Sequence, residues 1–121
     1  GLRRMLQGAR RASRTIAEEE GVEVEWERLW HIHPIPFDPG LIELAEHAIV
    51  EVAGRSHRLA SGPLHDAAEV ARAGIPTVML FVQSLRGLSH TKEEDTLPEH
   101  IELSVRALDL LAQRTVERFA Q

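Results

Sequence analysis

The sequence contains no cysteine. This absence excludes disulfide bonds, thiolate metal sites and a cysteine nucleophile, and it leaves a reducing cytoplasm as the expected location. No run of about 18 or more apolar residues is present, so we expect no transmembrane helix and no membrane partner. Acidic residues outnumber basic ones by 19 to 14, and no arginine-rich run stands out. We therefore expect no nucleic-acid partner.

Several motifs that identify enzymes are also missing. The chain has no phosphate-binding glycine-rich loop, no Gly-x-Ser-x-Gly and no His-Glu-x-x-His. Its 121 residues, 43% of them hydrophobic, have the composition of one modest globular domain. The first residues already lie inside an amphipathic pattern, which predicts that sequence upstream is missing.

Hydrophobic periodicity and capping residues predict four helices. Gly21 and Gly54 are typical of C-terminal caps, and Asp38 is typical of an N-cap. The first three predicted helices cover residues 2–19, 39–53 and 65–73. A final helix is predicted to open with a capping box of Thr96 and Glu99. Its apolar stripe consists of Ile101, Val105, Leu108, Ala112 and Phe119.

The remaining apolar segments predict strands. Residues 22–32 alternate apolar with polar side chains, and 56–60 is a second candidate strand. The nearly continuous apolar run 75–82 is typical of a strand buried on both faces. The predicted fold class is therefore α/β, with a small unit over 1–33 followed by an α/β layer over 34–121.

Two loop histidines beside predicted strands are the candidate functional residues. His65 stands where a loop enters the short helix 65–73, and His90 follows the predicted strand, at the edge where ligands bind in open α/β sheets. Imidazole is a common metal ligand, although a single loop histidine is more often only a surface residue. Asp66 either orients an imidazole or caps the short helix, and Glu94 lies within one turn of His90.

Three segments in order carry a family resemblance: Ser61–Ala67, Ile75–Val82 and Gly87–His90, the last followed by Glu94. They resemble the amidase/hydantoinase/carbamoylase family, which includes N-carbamoyl-L-amino-acid hydrolases, allantoate amidohydrolases and β-ureidopropionases. That family belongs to the dinuclear zinc aminoacylase/carboxypeptidase superfamily. The pair Pro63-Leu64 replaces the family's small Ala-Gly and is expected to crowd the substrate pocket.

The resemblance implies that residues 1–33 are the last helix and strand of an α+β lid and dimerisation domain. Residues 34–121 would then be the C-terminal part of an α/β/α catalytic domain. The implied activity is hydrolysis of linear amide or ureido C–N bonds in small N-carbamoyl or ureido substrates by a homodimer. Two divalent metal ions are implied, zinc or alternatively manganese, cobalt or nickel.

Site roles follow from the same resemblance. His90 matches a metal ligand, and His65 matches the residue that contacts substrate and stabilises the oxyanion. Leu64 and His65 are the implied substrate-binding residues, while Asp66 and Glu94 are carboxylates that would orient a ligand. The other ligands and the general base lie outside this sequence, so the chain alone is expected to be inactive and to hold no metal tightly.

Two alternatives remain open on the residues alone. One is a non-catalytic α/β module that associates with itself or with a partner, since missing cover would expose apolar surface. The other is a nucleotide-binding α/β domain, although the chain carries no phosphate loop.

Overall fold

Four α-helices form in the computed structural model, which describes residues 1–120. The helices are α1 (Leu2–Glu20), α2 (Pro39–Ala53), α3 (Asp66–Arg72) and α4 (Pro98–Phe119), and a 3₁₀ turn covers Leu85–Gly87. The chain separates into two units, Gly1–His33 and Pro34–Gln121.

The first unit consists of α1 and the segment that follows it. Gly21 ends the helix in the left-handed conformation (φ 65°), and its N–H donates to the Ala17 carbonyl. The chain then places Trp26 beside α1, where the indole N–H donates to Ser13 Oγ over 2.8 Å. The Arg10 guanidinium lies 5.7 Å from the centroid of the Trp26 ring. A cation over an indole face is weakly attractive, so the contact helps to hold the segment against the helix.

The second unit is built on the packing of α2 against α4. Asp38 opens α2, because its side chain accepts a hydrogen bond from the Leu41 N–H over 2.8 Å. Small residues on α2 allow α4 to approach closely. The buried centre consists of Ala45, Ala48 and Leu111, surrounded by half-buried Leu44, Val78, Leu80 and Leu110.

The predicted strands are wrong for the described part of the chain. None of residues 1–120 forms a strand, so segments 22–32, 56–60 and 75–82 have no ladder partner. A strand needs a neighbouring backbone to satisfy its N–H and C=O groups, and no segment of the described chain pairs with these three in a ladder. The observed architecture is therefore helical where α/β was expected.

The run 75–82 is also less buried than predicted. Its alternate residues Val78 and Leu80 pack on the helical core. Ile75 and Phe81 are 56% and 50% exposed, so burial on both faces is wrong.

Helix α4 differs from the prediction at its start and in its buried face. Its N-cap is Leu97, with no side-chain cap, so the predicted Thr96 capping box does not form. The side that faces α2 carries Ala107 and Leu111, both 5% exposed, whereas Leu108 of the predicted stripe is 57% exposed. The helix has two apolar faces, and the predicted stripe is the outer one.

Candidate functional site

His90 lies in a loop whose two ends are joined. The Leu85 N–H donates to the Asp95 carbonyl over 2.7 Å and closes the segment into a compact loop. Arg86 and Glu93 approach each other within the loop, with 3.9 Å between Nη2 and Oε2. This pairing was not predicted from the sequence, although the opposite charges on either side of the histidine were an available signal. The Leu85–Asp95 hydrogen bond therefore braces the loop at its ends, whereas the Arg86–Glu93 pair, whose side chains are both more than 60% exposed, contributes little.

The backbone of His90 adopts a conformation that residues with a side chain seldom occupy. Its φ is 58°, in the left-handed region, which costs about 1 kcal/mol or more for a residue other than glycine. Its N–H donates to Glu94 Oε2 over 2.6 Å, a short bond to a charged acceptor. The Glu94 N–H in turn donates to the Thr91 carbonyl over 3.1 Å. Glu94 thus contacts the backbone of His90, while the histidine side chain remains exposed.

His65 lies at the start of α3. It is the N-cap residue, with extended backbone and no side-chain capping bond, and it is half-buried. Its imidazole meets the Phe81 ring edge to face, with 6.4 Å between ring centroids. Phe81 lies four residues before Leu85, where the loop closes, so this contact joins the start of α3 to the segment that leads into the His90 loop.

The neighbours of His65 have simpler environments. Asp66 is the first residue of α3, and a carboxylate there complements the partial positive charge of the helix N-terminus. Leu64, the implied substrate contact, is 53% exposed.

The described residues do not make a metal site by themselves. Across residues 1–120, no group of three or more His, Asp or Glu side chains is arranged to hold an ion. Zinc in proteins takes three or four protein ligands, whereas His90 offers one exposed imidazole. One imidazole is fewer donors than zinc requires, so residues 1–120 do not form a complete zinc centre by themselves. None of the helices over residues 1–120 is long and apolar enough to cross a membrane.

Comparison with known proteins identifies the family. Residues 5–114 match the model of peptidase family M20/M25/M40, so the chain belongs to that family. It is 35% identical to an allantoate amidohydrolase of Bacillus subtilis (strain 168) over 97 residues, 79% of this chain and 23% of that relative. It is 41% identical to an N-carbamoyl-L-amino-acid amidohydrolase of Rhizobium meliloti over 81 residues, 66% of this chain and 19% of that relative. These names confirm the resemblance identified in the sequence.

A third relative extends the same pattern. An N-carbamoyl-L-amino acid amidohydrolase of Geobacillus stearothermophilus is 31% identical over 94 residues, 78% of this chain and 23% of that relative. The chain spans about a fifth to a quarter of the length of these curated relatives. No solved structure matches significantly.

Proposed function

We propose that this chain is the C-terminal part of a hydrolase that cleaves linear amide or ureido C–N bonds. The observation that carries the proposal is the match to three amidohydrolases, of the allantoate and N-carbamoyl-L-amino-acid types. The substrate class would be small N-carbamoyl or ureido compounds. Units Gly1–His33 and Pro34–Gln121 would be the end of a lid and dimerisation domain and the end of the catalytic domain.

His90 would supply one imidazole ligand to a metal site completed by residues outside this chain. Two features support this role: its side chain is exposed, and its loop is closed by the Leu85–Asp95 hydrogen bond. A ligand on a braced loop is presented in a defined direction, which a metal site requires. The metal ions would be divalent, with zinc as the first candidate.

His65 would contact the substrate and donate a hydrogen bond to the oxygen that becomes negatively charged. Its half-burial and its contact with Phe81 restrict the ring, so the donor is oriented before substrate arrives. The backbone next to Leu64 would line the same pocket. Since no group of three or more His, Asp or Glu side chains among residues 1–120 is arranged to hold an ion, we expect no turnover by the 121-residue chain alone.

The test uses the complete gene product that contains this chain, with three matched histidine substitutions. His90→Ala should lose bound metal and turnover. His65→Ala should keep its metal but lower kcat/KM by about 10²–10³, the loss of one oxyanion donor. His57→Ala is the control, because His57 is an exposed histidine outside helices. Metal content and hydrolysis of N-carbamoyl amino acids and allantoate are measured for each variant; unchanged metal and turnover in His90→Ala would refute the ligand role.

A non-catalytic role in self-association is the second candidate. The outer face of α4 favours it, because Val105, Leu108 and Phe119 are 60%, 57% and 59% exposed on one side of the helix. Light scattering on the chain, combined with the hydrolysis assay, separates the two. A complete gene product that associates but hydrolyses none of these substrates would favour the second candidate.

A further inference from the structure

The side chain of Glu94 contacts the backbone of His90 within the loop. The carboxylate oxygen lies 2.6 Å from the His90 nitrogen, and His90 has a φ of 58°. The neighbouring carboxylate, Glu93, is used differently: it lies 3.9 Å from Arg86 and its own N–H donates to Thr91 Oγ1 over 3.2 Å. Two adjacent acids of equal charge therefore have different partners.

The backbone conformation of His90 decides where its imidazole points. A change of φ from the left-handed to the right-handed region rotates the Cα–Cβ bond relative to the preceding peptide and so redirects the side chain. The left-handed state is intrinsically unfavourable for histidine, so it persists only when another interaction stabilises it. A charged acceptor on the His90 N–H is such an interaction, since bonds to ionised groups are stronger than neutral ones.

We infer that Glu94 is a positioning residue, whose carboxylate fixes the left-handed backbone of His90 and thereby the direction of the imidazole. It acts through the main chain and not through the ring nitrogens. This inference rests on the proposed function for the meaning of the imidazole direction, whereas the backbone effect stands without it.

The first test is NMR on the 121-residue chain. A positive φ brings the amide and α protons of a residue close together, so wild-type His90 should show a strong intraresidue cross-peak and a protected amide. Glu94→Ala should weaken the cross-peak and speed amide exchange of His90 about tenfold or more, as expected for loss of a bond to a charged group. Glu94→Gln keeps an uncharged acceptor and should give an intermediate result. Glu93→Gln is the control and should match wild type.

The second test uses the complete gene product and measures metal retention against a chelator. Glu94→Ala should release metal about tenfold faster or more, Glu94→Gln should restore part of the retention, and Glu93→Gln should behave as wild type. The positioning role is overturned if Glu94→Ala keeps the wild-type His90 cross-peak and amide exchange rate. It is also overturned if Glu94→Ala loses the cross-peak but retains metal as well as wild type does. Metal retained in His90→Ala instead refutes the proposed function and leaves the backbone effect standing. If Glu94→Ala fails to fold, the comparison of Glu94→Gln with Glu93→Gln, in His90 amide exchange and in metal retention, decides whether the positioning role holds.

Discussion

Truncation of Leu111 is the sharpest test of the packing of the second unit. Leu111 is 5% exposed and faces Ala45 and Ala48 of α2, which are 4% and 0% exposed. Leu111→Ala removes three carbon atoms, worth about 2 kcal/mol at roughly 0.8 kcal/mol per buried CH₂. The alanines opposite are too small to fill the space, although half-buried Leu80 can shift toward it. We therefore expect a loss of about 2–3 kcal/mol in the free energy of unfolding, in the lower part of the range for such substitutions.

Leu108→Ala is the matched control. It makes the same chemical change on the same helix, but Leu108 is 57% exposed and lies on the outer face of α4. Its effect on stability should stay within about 0.5 kcal/mol. Urea unfolding followed by far-UV circular dichroism, with equal m-values, gives both free energies. Because wild-type domains have only about 5–15 kcal/mol of stability, the Leu111 variant should show a clearly lower midpoint.

Two outcomes would refute this account of the core. Equal losses in the two variants would mean that both faces of α4 are covered. A larger loss in Leu108→Ala would mean that the outer face, as the hydrophobic pattern predicted, is the one that carries the packing.

Two further predictions concern single residues. Gly21→Ala should destabilise α1 by about 1 kcal/mol, because φ is 65° there, whereas Gly8→Ala in mid-helix should stabilise it by up to about 1 kcal/mol. Thermal melting followed by the helical circular dichroism signal tests this, and midpoint shifts of the same sign in the two variants would contradict it. Arg58 donates to Glu46 through two nitrogens, and this hydrogen bond holds the pKa of Glu46 below its ordinary value of 4.5. The pair's contribution is therefore fully present above that ordinary value and is lost as the pH falls through the lowered pKa. NMR titration should show the pKa of Glu46 rising toward 4.5 in Arg58→Ala but not in the Arg55→Ala control, and an unchanged pKa in Arg58→Ala would refute the pairing.

The sequence proposes residues for the candidate site, and those assignments stay predictions, whereas the geometry around these residues came only from the structure. The motifs directed attention to His65, His90 and Glu94, and the family match supports the resemblance behind them. The left-handed backbone of His90 could not be read from the sequence, because histidine has no preference that requires it. The contact of His65 with Phe81 joins segments distant in the chain and depends on packing alone.

The sequence by itself determined the helices. The predicted ranges 2–19 and 39–53 match α1 and α2 within one residue, and Asp38 caps as expected. Helical hydrogen bonds and caps join residues within about four positions of each other, so local residue types specify them.

Only the tertiary structure determined that residues 75–82 form no strand and which face of α4 is buried. Residues 75–82 have a strand composition, yet a ladder needs a partner backbone that the described chain does not provide. Helix α4 has apolar residues on two sides, and hydrophobicity alone cannot say whether Leu108 or Leu111 is buried. That choice depends on which surface α2 covers, which is a non-local property of the packed chain.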